Sequence, residues 1–169
     1  MKKRLNLSHI IFVLYCLIVI WTILFKAAFT FEDIRSLISE RSINPIPFYY
    51  DHEVGLRFHL LEIILNVIIF IPLGFYLKML VPSFKKVLTA SLIFTVTLEA
   101  CQLILCLGAC DITDLITNFT GAAFGAFVYT LMIKVFKNKQ RFDKVINIFA
   151  LVVIALFFSL ALLLFLAIR

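Results

Sequence analysis

Glu62 and Asn66 lie four residues apart, Glu99 and Gln102 three apart, and Asp114 and Asn118 four apart, each pair inside an otherwise apolar run. At these spacings both members of a pair fall on one face of a helix. Asp111 stands just before the third of these runs. A carboxylate beside an amide can exchange protons, accept hydrogen bonds from a polar headgroup, or fasten one helix to its neighbour. A charged carboxylate at the centre of a bilayer costs roughly 2.5–3.5 kcal/mol on insertion scales. Three helices carrying such groups are therefore expected to bring them together, to satisfy one another or to meet a ligand. A purely structural role, as interhelical bolts, fits the same residues.

The surrounding composition says what kind of element must hold them. The 169 residues are 63% hydrophobic and only 15% charged, with a mean hydropathy of +1.09. Soluble domains average about 45–50% apolar and about 25% charged, so a soluble domain is excluded. Five Gly and four Pro exclude a collagen-like or disordered chain, and four Cys do not make a disulfide scaffold. A spanning helix needs about 20 mostly apolar residues. Five stretches qualify, at 9–25, 58–80, 87–107, 112–133 and 145–168. The expected fold is all-α: a single-domain polytopic membrane bundle of about five transmembrane helices over residues 1–169. The basic start Met1-Lys2-Lys3-Arg4 before an apolar run resembles a secretory signal, but no convincing cleavage site follows, and the segment reads as a retained first span.

Lys and Arg set the orientation. Eleven of them (Lys2, Lys3, Arg4, Lys78, Lys85, Lys86, Lys134, Lys137, Lys139, Arg141, Lys144) fall on one side, with Asp143 as the only acid there, a balance of +10. The remainder of the chain has five basic and nine acidic residues, a balance of −4. The amino terminus and both short basic loops are thus expected in the cytoplasm, and the carboxyl terminus outside. The net charge of +6 reflects topology and contact with anionic lipid rather than nucleic-acid binding, because the basic residues are scattered over three segments. At about 1.5 Å of rise per residue, Asn66 and Glu99 lie about 12 Å from the outer ends of their helices, and Glu62, Gln102 and Asn118 about 6–9 Å. Matched depths allow one cluster opening outward.

Between the first two spans, residues 29–40 place Phe31, Ile34, Leu37 and Ile38 at helical spacing, with Thr30 as a cap, and are expected to form a short interfacial helix on the outer leaflet. Asn44-Pro45-Ile46-Pro47-Phe48 is expected to be extended, since each proline disfavours helix at the residue before it. Pro72 removes a backbone donor and should kink the second span. Gly121 and Gly125 form a small-xxx-small motif that lets another helix approach closely, and Gly74 in the second span is a further packing residue. His59 reads as structural, and a Cys106–Cys110 disulfide is conceivable where oxidants reach it. No zinc-type spacing, glycine-rich phosphate loop or nucleophile elbow is present, so neither metal nor cofactor is expected. No pattern specifies an oligomeric state.

Three motifs occur in order: Asn66-x-x-x-Phe70-x-Pro72-x-Gly74-Phe75, Glu99-x-x-Gln102, and Asp111-x-x-Asp114-x-x-x-Asn118-x-x-Gly121-x-x-x-Gly125. Together with the upstream Asn44-x-x-Pro47-Phe48, they resemble the VanZ-like family of bacterial membrane proteins over about residues 43–129. The resemblance implies a multi-pass protein of the bacterial plasma membrane, associated in its founding member with resistance to the lipoglycopeptide teicoplanin. It also implies an arginine just before the first Asp of the third motif, where this chain has Gly108-Ala109-Cys110. Three functions fit. One is binding of an amphiphilic or lipid-linked envelope molecule in an outward-facing polar cavity. The second is an intramembrane enzyme using Glu and Asp as acid and base. The third is a proton-coupled transporter, disfavoured by five spans with no evident repeat.

Overall fold

The computed structural model describes residues 7–25, 38, 42–49, 55–107, 109–136 and 138–168. The chain runs through α1 (Leu7–Phe25), β1 (Ser42–Asn44), α2 (Leu56–Leu80), α3 (Phe84–Leu105), β2 (Ala109–Asp111), α4 (Ile112–Phe136) and α5 (Lys139–Ile168). All five helices are long and apolar enough to cross a membrane. The interfacial helix expected over 29–40 lies outside the described residues, apart from Ile38.

Two helices begin earlier than hydropathy alone indicates, because polar caps start them. The Ser83 hydroxyl accepts the Lys86 N–H at 3.4 Å, and the Asn138 side chain accepts the Arg141 N–H at 3.0 Å. Lys85, Lys86, Lys139 and Arg141 therefore sit in first helical turns rather than in loops. At the other end of α3, Cys106 adopts a left-handed φ of 56° and closes the helix, with the Leu107 N–H returning to the Gln102 carbonyl at 3.0 Å.

The tightest helix pair is α2 with α4, which run parallel. A Cβ at Gly74 would strike the Ala122 carbonyl, one at Gly121 the Val67 carbonyl, and one at Gly125 the Ile71 carbonyl. These three glycines let the two backbones touch, with Phe70 and Ala122 fully buried between them. α2 continues as one helix through Pro72. The ring of Pro72 denies a donor to the preceding turn, and the Tyr15 hydroxyl of α1 donates to the Ile69 carbonyl there. This contact also sets α1 against α2.

The end of the bundle at the short turn 81–83 and Asn138 is fastened by polar side chains. The Lys139 ammonium donates to Asp143 at 2.6 Å, to the Tyr129 hydroxyl at 2.8 Å and to the Met79 carbonyl at 3.3 Å. Buried Asn147 donates to the Ser8 hydroxyl at 2.8 Å and accepts from the Tyr76 hydroxyl at 3.4 Å. Every helix except α3 contributes to this network, and its members are paired.

The opposite end departs from a purely helical reading. β1 and β2 pair in parallel, Ser42 with Ala109, Ile43 with Cys110 and Asn44 with Asp111. The stretch expected to stay extended through Phe48 instead turns. Tyr49 N–H donates to the Ile46 carbonyl at 3.3 Å, Pro47 takes the second turn position, and Phe48 lies at φ 56°. Proline favours that position as much as it opposes helix before it, which the extended reading overlooked. A positive φ is costly for a bulky residue. The Phe48 N–H is held by the Thr113 hydroxyl at 2.9 Å, which ties the turn to the start of α4.

Candidate functional site

Asp111 organises the strand-bearing end. It is the residue before α4, and its Oδ1 accepts the Thr113 N–H at 2.7 Å, capping the helix where negative charge is favoured. Its Oδ2 accepts from the Asn44 amide at 2.9 Å, so the strand pair is locked by a side-chain bond as well as by backbone. The Asn44 amide oxygen also receives the Ile46 N–H at 3.3 Å. The Asp111 N–H in turn donates to Glu99 Oε2 at 3.1 Å. Strand β2 thereby hangs on a carboxylate presented by α3.

Asn66 of α2 donates to Asp114 Oδ1 at 2.7 Å, joining the first and third sequence pairs directly. Gln102 donates to the Ile23 carbonyl of α1 at 3.3 Å. Four helices and both strands therefore meet through Asn44, Asn66, Glu99, Gln102, Asp111 and Asp114. Glu62 joins none of these bonds and is exposed. Four residues before Asn66 is about 6 Å further along the axis, which carries it past the start of α4. Arg57 is exposed in the first turn of α2, His59 is half-buried there, and Arg41 lies outside the described residues.

The site differs from the fastening network at the other end in what it leaves unpaired. Glu99 Oε1, Gln102 Oε1, Thr95 Oγ1 and both amide atoms of Asn118 are buried without a hydrogen-bond partner among the described residues. The exposures of these residues are 2%, 6%, 0% and 0% respectively. Thr95, Glu99 and Gln102 follow one face of α3, and Asn118 is one turn along α4 from Asp114. An unsatisfied buried polar group costs about 1–3 kcal/mol. Asn147, equally polar and 6% exposed, is bonded at both amide atoms. The fold can satisfy a buried amide, and at Asn118 it does not.

Thr95 was not among the sequence candidates. Its position four residues before Glu99 is the signal that places it on the same face. Thr113 was missed as well, because its role depends on the turn at Phe48. Gly74, Gly121 and Gly125 serve packing, and Pro72 sits one turn beyond the Ile69 carbonyl that accepts the Tyr15 hydroxyl.

The Cys110 thiol lies beside the Glu99 carboxylate, close enough to interact with it. Burial pushes the thiol pKa up, and the Glu99, Asp111 and Asp114 carboxylates push it further in the same direction. All four cysteines, Cys106 and Cys110 included, are free thiols. Among the described residues no three of His, Cys, Asp and Glu are arranged to hold a metal ion. A cavity of about 240 Å³ opens elsewhere, between α1, α2 and α5, walled by apolar side chains such as Ile11, Pro72, Phe75 and Val153. The polar cluster is not part of its lining.

Removing the Asn66 amide takes a 2.7 Å hydrogen bond away from Asp114 Oδ1. Asn66→Ala is expected to cost about 1.5–3 kcal/mol, the range for hydrogen bonds to charged groups. Thermal unfolding in detergent measures this, and an unchanged midpoint would show that the bond carries no weight.

The profile of the VanZ/LLP1 family matches residues 12–134. The chain is 36% identical over 146 residues to Protein VanZ of Enterococcus faecium, covering 83% of each sequence. No solved structure matches it. The motif residues Asn66, Glu99, Gln102, Asp111, Asp114 and Asn118 all lie inside the matched region and, in space, at one end of the bundle. With five apolar helices around them, this chain is a multi-pass membrane protein of the VanZ/LLP1 family.

Proposed function

We propose that this protein acts in the bacterial plasma membrane by binding an amphiphilic or lipid-linked envelope molecule between α3 and α4, and that it lowers susceptibility to teicoplanin. The observation that carries the reading is the set of buried polar atoms on Thr95, Glu99, Gln102 and Asn118 that find no hydrogen-bond partner among the described residues. A polar headgroup entering from the strand-bearing end would supply the missing partners, and the apolar helix faces would accept its tail.

The charge balance supports an amino terminus in the cytoplasm, with the strand pair at the outer surface. Similarity to Protein VanZ supports the resistance role.

Two measurements test the proposal. Expression in a susceptible Gram-positive host should raise the teicoplanin concentration needed to inhibit growth, and Glu99→Gln at equal protein level should return it to baseline. An unchanged inhibitory concentration with the unsubstituted chain would remove the resistance role. Single cysteines in a cysteine-free background at positions 111 and 139 should react with an impermeant reagent on intact cells only at 111. Labelling at 139 would invert the topology.

A further inference from the structure

The apolar cavity between α1, α2 and α5 lies apart from the polar cluster, in the half of the bundle that ends at the short turn 81–83. Helix α5 meets α1 at two levels around it. Asn147 donates to Ser8 at 2.8 Å, and ten residues on, the Phe157 ring meets Trp21 edge-on with centroids 6.0 Å apart. Ten residues of helix span about 15 Å. Between those levels the walls include small or rigid side chains, Ala150 on α5 and Pro72 on α2, and about 240 Å³ stays open between the helices. The walls offer nothing to water. The Tyr15 hydroxyl is spent on the Ile69 carbonyl and the Tyr76 hydroxyl on Asn147, and none of the buried unpaired polar atoms belongs to a lining residue. A cavity with such walls stays dry. Phe149 and Val153 on its rim are 66% and 46% exposed, which in a membrane-spanning helix is exposure to hydrocarbon. Left empty, the cavity forfeits dispersion contacts that a hydrocarbon chain would restore.

We infer that this cavity seats an acyl chain of an anionic phospholipid from the leaflet at the basic end of the bundle. Its lining residues lie about 6–12 Å from that end along α1, about 6–14 Å along α2 and about 10–22 Å along α5. In a hydrocarbon core about 30 Å thick, this is the chain region of one leaflet. The charge of the headgroup follows from what each wall becomes toward that end. Lys2, Lys3 and Arg4 precede α1, Lys78 lies in the last turn of α2, and Lys139, Arg141 and Lys144 open α5. Asp143, the acid among them, is paired with Lys139 at 2.6 Å. A lipid whose chain lies between these three helices has its headgroup among their basic ends, and clustered Lys and Arg at a membrane surface select anionic lipid.

A chain held by dispersion alone exchanges with detergent, so the site is read in a bilayer. The full-length protein is placed in phosphatidylcholine vesicles containing a trace of phosphatidylglycerol or phosphatidylcholine with a diazirine midway along one acyl chain, and adducts are mapped by peptide mass spectrometry after irradiation. Phosphatidylglycerol should label residues 71–76 about fivefold or more above phosphatidylcholine, the equivalent of about 1 kcal/mol. It should also label them more densely than Ile93 and Val96, exposed on α3. Ala150→Phe, which puts a ring into the cavity, should remove the adducts at 71–76 and spare those at Ile93 and Val96. Arg141→Gln combined with Lys144→Gln, both at exposed positions, should lower labelling by phosphatidylglycerol alone. The parent map and this charge variant carry the test if Ala150→Phe does not elute as a single species. No excess at 71–76 over Ile93 would mean that the helices close on themselves or that a second copy covers the cavity, and would overturn the site. Equal labelling by the two lipids, or adducts at 71–76 that persist in a folded Ala150→Phe protein, would overturn the assignment as well.

Discussion

Gly125→Leu is expected to remove most of the folded protein. The position faces the backbone of α2 rather than a side chain, and a Cβ there would run into the Ile71 carbonyl. Overpacked side chains usually cost about 1–3 kcal/mol because neighbours can shift rotamers. A helix backbone has no such freedom, so α2 and α4 would have to separate along their whole contact. The loss should reach about 3 kcal/mol or more, and it should carry Asn66 away from Asp114. Phe124→Leu, one residue earlier on an exposed face, is the matched control and should stay within about 0.5 kcal/mol of the parent. Size-exclusion profiles and unfolding temperatures of the two variants in detergent make the comparison. A Gly125→Leu protein with the parent's midpoint would mean that the helices do not cross there.

Asn118→Leu is expected to do the reverse: to raise stability while ending function. Leucine keeps the branched shape of asparagine but has no polar atoms to leave unpaired. Both amide atoms of Asn118 are buried and unbonded, and relieving them should contribute about 1–3 kcal/mol. If Asn118 were an interhelical bolt, the same substitution would destabilise the bundle. The sign of the change in unfolding temperature therefore separates the two roles. Ligand binding and resistance should be lost with the stability gain, the pattern expected where a polar group is kept for function at the expense of the fold.

Much of this arrangement can be read from the chain before any coordinates. The five spans follow from apolar length, and the three pairs of polar residues follow from spacings of three and four on helices. Gly121 and Gly125 announce a close crossing. The partner of that crossing does not follow from the motif, because a small residue permits approach without specifying what approaches. The early starts of α3 and α5 depend on Ser83 and Asn138, polar caps whose effect is hidden when a basic segment is taken as a loop. The strand pair was less legible still. Three-residue strands have no periodicity to detect, and Ser42–Asn44 meets Ala109–Asp111 only because Glu99, Asn44 and the turn at Phe48 hold the two together. Glu62 shows the limit of face arguments near a helix end. It shares a face with Asn66, yet α4 does not extend far enough to meet it.

The sequence also could not distinguish polar residues that are satisfied from those that are not. Asn147 and Asn118 are both asparagines inside apolar helices, and only three-dimensional partners tell them apart. That distinction separates a fastening network at one end of the bundle from a binding site at the other.

Native mass spectrometry of the full-length protein, released gently from membranes, tests the binding site most directly. The unsubstituted chain should carry one retained amphiphile per protein molecule, and Asn118→Leu should fly as the bare polypeptide. A parent chain without adduct, or an Asn118→Leu chain with the same adduct at the same occupancy, would contradict a ligand seated between α3 and α4.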